Sequence, residues 1–149
     1  MNAVIFDTET VSLNHPFCYN IGYTIVNLEE RRILCSRDFV CEQVWHNIPL
    51  FSTAYYADKR PIYISAMKGK TCKMDKIGFI TQKMIKDFNA FNVEKAFAYN
   101  APFDEGVFNF NCEYFKIANP FDNIPIIDIV PYVHKTIAFN KDYQDFCEQ

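Results

Sequence analysis

Two acidic residues near the N-terminus have a spacing that suits metal chemistry. Asp7 and Glu9 are two residues apart and directly follow the apolar run 3–6. If that run is a strand, side chains two apart point to the same face, so both carboxylates share one side. Adjacent carboxylates raise one another's pKa unless a cation lies between them, and hard divalent cations prefer oxygen ligands. The pair therefore predicts a divalent metal site, although a cap or turn role is the common alternative at a strand end.

A second polar cluster, residues 99–104, offers a third carboxylate. It follows a short predicted strand and opens a predicted helix, because Pro102 suits the first helical turn. Asp104 then lies in that turn, where the helix dipole favours a negative charge. Two interpretations of Asp104 stay open, namely stabilisation of the helix or a third metal ligand from a neighbouring element. Asn100 is equally open, since it suits a turn as well as a contact with substrate.

Hydrophobic patterning predicts the elements that must position these residues. The predicted strands are 3–6, 19–26, 32–40, 95–99 and 124–127, and the predicted helices begin near Asp75, Pro102 and Asp128. The uninterrupted apolar run 3–6 is typical of a strand that is buried on both faces. Asp75 is the predicted N-cap of a helix whose apolar residues recur on one stripe. Three strands in hairpin order, followed by alternating helices and strands, indicate an α/β fold with a mixed sheet flanked by helices.

Together, the two acidic motifs resemble those of the DEDD superfamily of 3′-5′ exonucleases, the DnaQ-like proofreading group typified by the epsilon subunit of DNA polymerase III. The matching segments are residues 4–10, followed by Leu13, and residues 100–104 with Phe103 and Asp104. In element order the resemblance covers nearly the whole chain, as a single domain over residues 1–149. It implies a ribonuclease-H-like fold, with a five-stranded mixed sheet flanked by helices.

The resemblance also implies a reaction and its catalytic residues. Asp7, Glu9 and Asp104 are the implied ligands of two Mg²⁺ or Mn²⁺ ions. One ion would activate water and the other would stabilise the leaving 3′ oxygen, so that a phosphodiester bond at the 3′ end of single-stranded DNA or RNA is hydrolysed. DNA and RNA are not distinguished by these residues, and a DNA polymerase is an implied partner.

Substrate contacts are implied for four further residues. In the family, the backbone at the positions of Thr8 and Thr10 lies against the terminal nucleotide, and the residue at the position of Leu13 wedges beside the terminal base. Asn100 is the fourth implied substrate-binding residue. The Thr-Gly pair that usually precedes the leucine is replaced here by Val11-Ser12.

The third motif of the family, which supplies a fourth carboxylate and a general base, has no counterpart in this sequence. His134 lacks an Asp five residues later, and Tyr132 and Tyr143 lack one four residues later. The acidic tail (Asp142, Asp145 and Glu148) is typical of an interrupted helix, so we expect that the C-terminal helices are truncated after Gln149. The alternative is a degenerate, non-catalytic domain. In both cases we expect weak or absent activity from this chain.

Two other function classes compete with the exonuclease. A phosphatase of the haloacid dehalogenase type requires Asp-x-Asp after its first strand, whereas Glu9 stands at the second position. A nucleic-acid-binding or interaction domain is favoured by the stretch 59–76, which carries six basic residues against Asp75 alone. That stretch is predicted to be mostly loop with a short helix. Tyr55 and Tyr56, just before it, and Tyr63, within it, are candidates for stacking on bases.

Composition narrows the class of protein. The chain has 149 residues, of which 50% are hydrophobic, so it can build the core of one domain and global disorder is excluded. The net charge of -3 disfavours a protein that coats nucleic acid by bulk charge. No apolar run is long enough for a membrane span, no signal peptide is recognised, and the six cysteines form no Cys-x-x-Cys pair. We therefore expect a cytoplasmic protein with reduced thiols and no zinc site. The oligomeric state stays open, although loss of the terminal helices would expose apolar surface that a second copy could cover in a homo-oligomer.

Overall fold

Three long strands rich in apolar and β-branched residues begin the chain and pair as an antiparallel meander. The computed structural model describes residues 1–137. Within them, β1 (Asn2–Thr10) pairs with β2 (Cys18–Asn27), which in turn pairs with β3 (Arg32–Cys41). These strands match the predicted ones within a few residues at each end. An irregularity in the register between Glu9 and Thr10 marks the point where β1 leaves the regular ladder.

The remainder of the described chain alternates between helices and short parallel strands. The helices are α1 (Glu42–Trp45), α2 (Ile48–Phe51), α3 (Arg60–Lys68), α4 (Ile77–Ala90), α5 (Ala101–Phe115) and α6 (Val130–Ile137), and a 3-10 helix covers Ala57–Lys59. The added strands are β4 (Lys73–Asp75), β5 (Val93–Ala98) and β6 (Ile126–Asp128). None of the helices in residues 1–137 has both the length and the apolar character needed to cross a membrane.

Within residues 1–137 the sheet has six strands in the order β4-β3-β2-β1-β5-β6, so the expectation of five strands is wrong. The additional strand is β4, which pairs in parallel with the end of β3. It lies inside the basic stretch 59–76, for which only a loop and a short helix were predicted. Its three residues, Lys73, Met74 and Asp75, have no strand pattern of their own, because an edge strand this short is defined by its backbone pairing. The α/β class and the mixed sheet flanked by helices are confirmed.

Two hydrophobic clusters cover the two faces of the sheet. One contains Phe39 and Cys41 together with the apolar stripes of α4 and α5. Val40, which lies between them on β3, belongs to the other cluster, which contains Trp45 and Phe51. Because neighbouring side chains on a strand point to opposite faces, α4 and α5 lie on one face and the segment α1–α3 lies on the other.

Two local predictions are corrected by the structure. The second cluster does not reach Ile5, which is 45% exposed, so β1 is not buried on both faces over its whole length. Asp75 belongs to β4, and the N-cap position of α4 is Lys76, which makes no capping bond through its side chain. Asp128 is the last residue of β6, and its Oδ1 accepts a hydrogen bond from the N–H of Val130, the first residue of α6, at 3.1 Å.

Cysteines and the C-terminal acids complete the account of the predicted features. The five cysteines within residues 1–137 are all free thiols. The acidic residues predicted to form an interrupted helix, together with Tyr143 of the third-motif search, lie outside the described residues.

Candidate functional site

The start of α5 positions the third predicted carboxylate. Asn100 follows β5 in the left-handed conformation (φ 59°, ψ 50°), a region that Asn enters more readily than most residues, and Pro102 stands in the first turn. This turn carries Asp104 back toward the end of β1. Asp104 is only 2% exposed, which is unusual for a carboxylate and requires polar partners. Its position in the first helical turn is confirmed.

Thr8 supplies those partners. The backbone N–H of Thr8 donates to Asp104 Oδ1 at 3.0 Å, and the Thr8 hydroxyl donates to the same oxygen at 2.6 Å. Thr8 is itself buried, so both hydrogen bonds are shielded from water. They join β1 to α5 across 96 positions of sequence and fix the distance between the two motifs. A role for the Thr8 backbone in substrate binding stays a prediction, and its N–H already has an acceptor.

Asp7 and Glu9 flank Thr8 on the opposite face of β1. The alternation along the strand is visible in burial, because Thr8 is buried, Asp7 is exposed and Glu9 is half-buried. The two motifs are therefore brought together at the end of β1. The alternation of side chains along β1 puts Asp7 and Glu9 on one face, as predicted. Asp104 is hydrogen-bonded to Thr8, the residue between them.

The three carboxylates influence one another electrostatically. Burial is the largest cause that raises the pKa of Asp104 to about 6, and the charge of Asp7 raises it further against the hydrogen bonds from Thr8. Burial also raises the pKa of Asp7. The pKa of Glu9 is raised first by burial and then by the charge of Asp7, with a smaller contribution from Asp104. Lys59 opposes these effects at Glu9. This end of β1 is therefore a place where negative charge is costly and a cation is favoured.

The three carboxylates have suitable ligand atoms for a metal ion, but they are not arranged as a complete metal site. Three carboxylates supply the hard oxygen ligands that Mg²⁺ and Mn²⁺ prefer. Yet among residues 1–137 there is no group of three or more His, Cys, Asp or Glu side chains arranged to hold a metal ion. The carboxylates thus form no closed ligand shell in this conformation. Metal binding by these residues stays a prediction.

A cleft of about 550 Å³, here called the carboxylate cleft, opens beside Glu9, whereas Asp7 and Asp104 do not line it. It is lined by Thr8, Glu9, Thr10, Val11, Ser12, Leu13, Thr53, Tyr55, Tyr56 and Phe103. The cleft thus joins residues of both sequence motifs to the segment that connects α2 with α3. Leu13 is 81% exposed at its wall, a position that suits the predicted contact with a terminal base.

Two tyrosines form the opposite wall of the carboxylate cleft. Tyr55 is 85% exposed, and its ring stands nearly perpendicular to that of Tyr56, at 83° and 4.7 Å between centroids. Lys59 Nζ lies 3.9 Å from the centroid of the Tyr56 ring. The arrangement offers an aromatic face and a cation next to Glu9. The tyrosines are candidates from the sequence, whereas Phe103 appears there only as part of the 100–104 motif and Lys59 only as one of six basic residues, because spacing does not show that these segments meet.

Asn100 has a different environment from the other predicted residues. No hydrogen bond of its side chain is found within residues 1–137, and its conformation already accounts for the residue type. The neighbouring N–H of Ala101 donates to Asp128 Oδ1 at 3.3 Å, so Asp128 connects the start of α5 with that of α6. Asp128 therefore stabilises the start of α5, the helix that carries the third carboxylate. A contact between Asn100 and substrate stays a prediction.

Comparison with known proteins adds no relative to this description. A scan against protein-family models and a search of curated proteins both found no match.

Proposed function

We propose that this protein is a metal-dependent 3′-5′ exonuclease acting on single-stranded DNA or RNA. The observation that carries the proposal is the pair of hydrogen bonds from Thr8 to Asp104, which holds the α5 carboxylate against the residue that lies between Asp7 and Glu9. Two segments far apart in sequence thereby supply three carboxylates at one end of the sheet. A lone cap or turn role explains neither the burial of Asp104 nor the contribution of the Asp7 charge to the raised pKa values of Glu9 and Asp104.

Asp7, Glu9 and Asp104 are the residues that would hold two Mg²⁺ or Mn²⁺ ions. When bound, such ions supply an activated water and stabilise the leaving 3′ oxygen. Cation binding would also offset the repulsion among carboxylates whose pKa values are raised. Thr8 would keep Asp104 in place by donating to Oδ1.

The carboxylate cleft suits an unpaired strand end. Leu13, Tyr55 and Phe103 give it apolar and aromatic walls, on which bases stack when they are not paired in a duplex. Lys59 brings positive charge to the same rim, where a phosphate would approach Glu9. The substrate class that follows is a single-stranded 3′ end.

The test is digestion of a single strand labelled at its 5′ end, in Mn²⁺, by the protein and two matched variants. Glu9→Gln removes a site carboxylate, and Glu113→Gln removes an exposed carboxylate on α5. We expect slow, stepwise shortening that is lost in Glu9→Gln and kept in Glu113→Gln. DNA and RNA strands are compared in parallel to identify the preferred sugar.

A binding domain of the same fold is the second candidate, favoured by the missing third motif. In the digestion experiment, a binding domain would retain the labelled strand without shortening it, whereas an exonuclease would shorten it. Thermal unfolding with and without Mn²⁺ shows whether the folded protein binds the ion, since an ion that binds only the folded state raises the melting temperature. Absence of such a rise, together with absence of cleavage, would contradict the exonuclease proposal.

A further inference from the structure

A second cleft, here called the basic cleft, lies between α4 and the β3–β4 edge of the sheet. It has a volume of about 450 Å³, and its charged lining consists of Arg37, Lys73, Lys83 and Lys86 against a single acid, Asp75. The whole chain has a net charge of -3, so the positive charge of this cleft is opposite in sign to the net charge of the protein. Cations gathered in a concave site attract anionic ligands more strongly than the same charges spread over a surface.

A buried carboxylate beneath the cleft fixes one of these cations. Asp87 is 5% exposed and accepts hydrogen bonds from Arg37 Nε at 2.5 Å and from the Tyr23 hydroxyl at 2.9 Å. Lys83 Nζ lies 3.2 Å from its other oxygen. Burial alone would raise the pKa of Asp87, but the hydrogen bonds from Arg37, Tyr23 and Lys83 outweigh it and the pKa is lowered. Asp87 therefore stays ionised and orients the guanidinium.

The oriented guanidinium keeps donors for a ligand. Arg37 has five N–H groups, and within residues 1–137 it directs Nε and Nη2 toward Asp87. The others remain for an anion, and the planar fork of a guanidinium matches the oxygens of a phosphate. Lys73 and Lys86 are exposed. Lys73 approaches Asp75 only at 3.8 Å, a weak exposed pair that leaves its ammonium group available.

An aromatic ring borders the same cleft. Phe79, on the first turn of α4, is 56% exposed, which is uncommon for a phenylalanine that contributes to a core. A phosphate needs only the cations, whereas an exposed ring beside them also suits a planar base. The combination points to a ligand that carries both groups.

We propose that the basic cleft binds a nucleotide, with its phosphate on Arg37, Lys73 and Lys86 and its base against Phe79. The ligand is either a free nucleotide or one nucleotide of a single strand, since both present the same chemistry. The inference does not rest on the exonuclease proposal, because the basic cleft shares no lining residue with the carboxylate cleft.

The experiment measures binding in EDTA, where metal-dependent hydrolysis is absent. The probes are a fluorescein-labelled oligothymidylate, followed by anisotropy, and thymidine 5′-monophosphate, followed by calorimetry. The test variant is K73E/K86E. The control is K95E/K135E, which makes the same change of net charge at exposed lysines that do not line either cleft. Phe79→Ala tests the base contact separately.

For K73E/K86E we expect about tenfold weaker binding of the oligonucleotide and a salt dependence whose slope is less steep by roughly 1.4, because two phosphate contacts of about 0.7 each are lost. The control should change affinity less than twofold. Parallel loss of mononucleotide binding would identify the free nucleotide as a ligand, and loss for the oligonucleotide alone would identify a strand. Equal affinities of the two double variants, or no binding of either probe by the parent protein, would overturn the proposal. All four substituted lysines are exposed, and circular dichroism confirms that each variant is folded.

Discussion

At the residue scale, Asp104 links stability to pH. Its carboxyl ionises near 6 in the folded protein against an ordinary value of 3.8, so the folded state holds this proton more tightly. Ionisation of Asp104 therefore lowers the free energy of unfolding above pH 6, and this loss of stability disappears as the pH falls below 3.8. A shift of about two pKa units lowers the free energy of unfolding above pH 6 by about 3 kcal/mol.

Asp104→Asn removes the charge while its side-chain oxygen still accepts from Thr8. In EDTA at pH 8 we expect this variant to be more stable than the parent by roughly 1 to 3 kcal/mol, and we expect the difference to shrink to nothing near pH 4. Denaturant unfolding at the two pH values measures this. Asp104→Ala, which also deprives Thr8 of its acceptor, should destabilise at both. A pH-independent difference for Asp104→Asn would contradict the argument.

The residue types of the site are readable from the sequence, but the contact that holds it together is not. Asp7, Glu9 and Asp104 were identified because carboxylates at element ends have a limited set of roles. That Thr8 would bind Asp104 depends on the face of β1 to which Thr8 points and on how closely α5 approaches it. Both are tertiary facts, set by the cluster beneath α5 rather than by either motif.

At the element scale, α5 begins and ends in the left-handed conformation. Lys116, at its C-terminus, has φ 55° and ψ 52°, and its N–H bonds back to the carbonyl of Glu113. Glycine is the usual residue at such a helix end, because a Cβ in this conformation costs about 1 kcal/mol. The sequence therefore carries a local strain at a position where no glycine indicates it.

Lys116→Gly should raise the free energy of unfolding by roughly 0.5 to 1 kcal/mol, the relief of strain being partly offset by the greater freedom of glycine in the unfolded chain. Lys116→Ala is the control, because it removes the charge and keeps the Cβ. Thermal or denaturant unfolding compares the three proteins. A gain that appears equally in the alanine variant would show that charge, and not conformation, is responsible.

Elements with an apolar pattern of their own were predictable, including the short strands β5 and β6, whereas β4 was not predicted and α3 was anticipated only as a short helix somewhere in 59–76. The stripe of apolar residues that defines α4 and the apolar strands β1 and β2 carry their own pattern, so their existence follows from sequence. β4 and α3 lie in a lysine-rich stretch that has no such pattern. Their conformation depends on pairing with β3 and on contact with the second cluster, through Tyr63 for example.

At the scale of the whole molecule, one sheet is shared by two cores. Ile80 is fully buried in the cluster beneath α4. Trp45, the single tryptophan, lies in the cluster on the other face. Because β3 contributes residues to both clusters, loss of either core is expected to release the same strand ladder.

Ile80→Ala should lower the free energy of unfolding by about 2 to 5 kcal/mol. The fluorescence of Trp45 should report the same lower midpoint as far-UV circular dichroism, although the substitution is on the opposite face. Thr53→Ala, at an exposed position in the same half of the chain as Trp45, serves as the control and should leave both midpoints nearly unchanged. Separate midpoints for the two probes in Ile80→Ala would mean that the cores unfold independently.

The directions of the strands determine at which end of the sheet the connecting segments can change in sequence. Five of the six strands are parallel to one another and only β2 is reversed, so the chain turns at the same end of the sheet after β1, β3, β4, β5 and β6. Turns at that end can be exchanged while the ladder below them stays intact. Within residues 1–137 the longest connection at that end is 42–72, and its buried residues, such as Trp45 and Phe51, belong to the second cluster. Its exposed positions, such as Tyr55, are therefore where contacts with a new ligand can arise while both cores are kept.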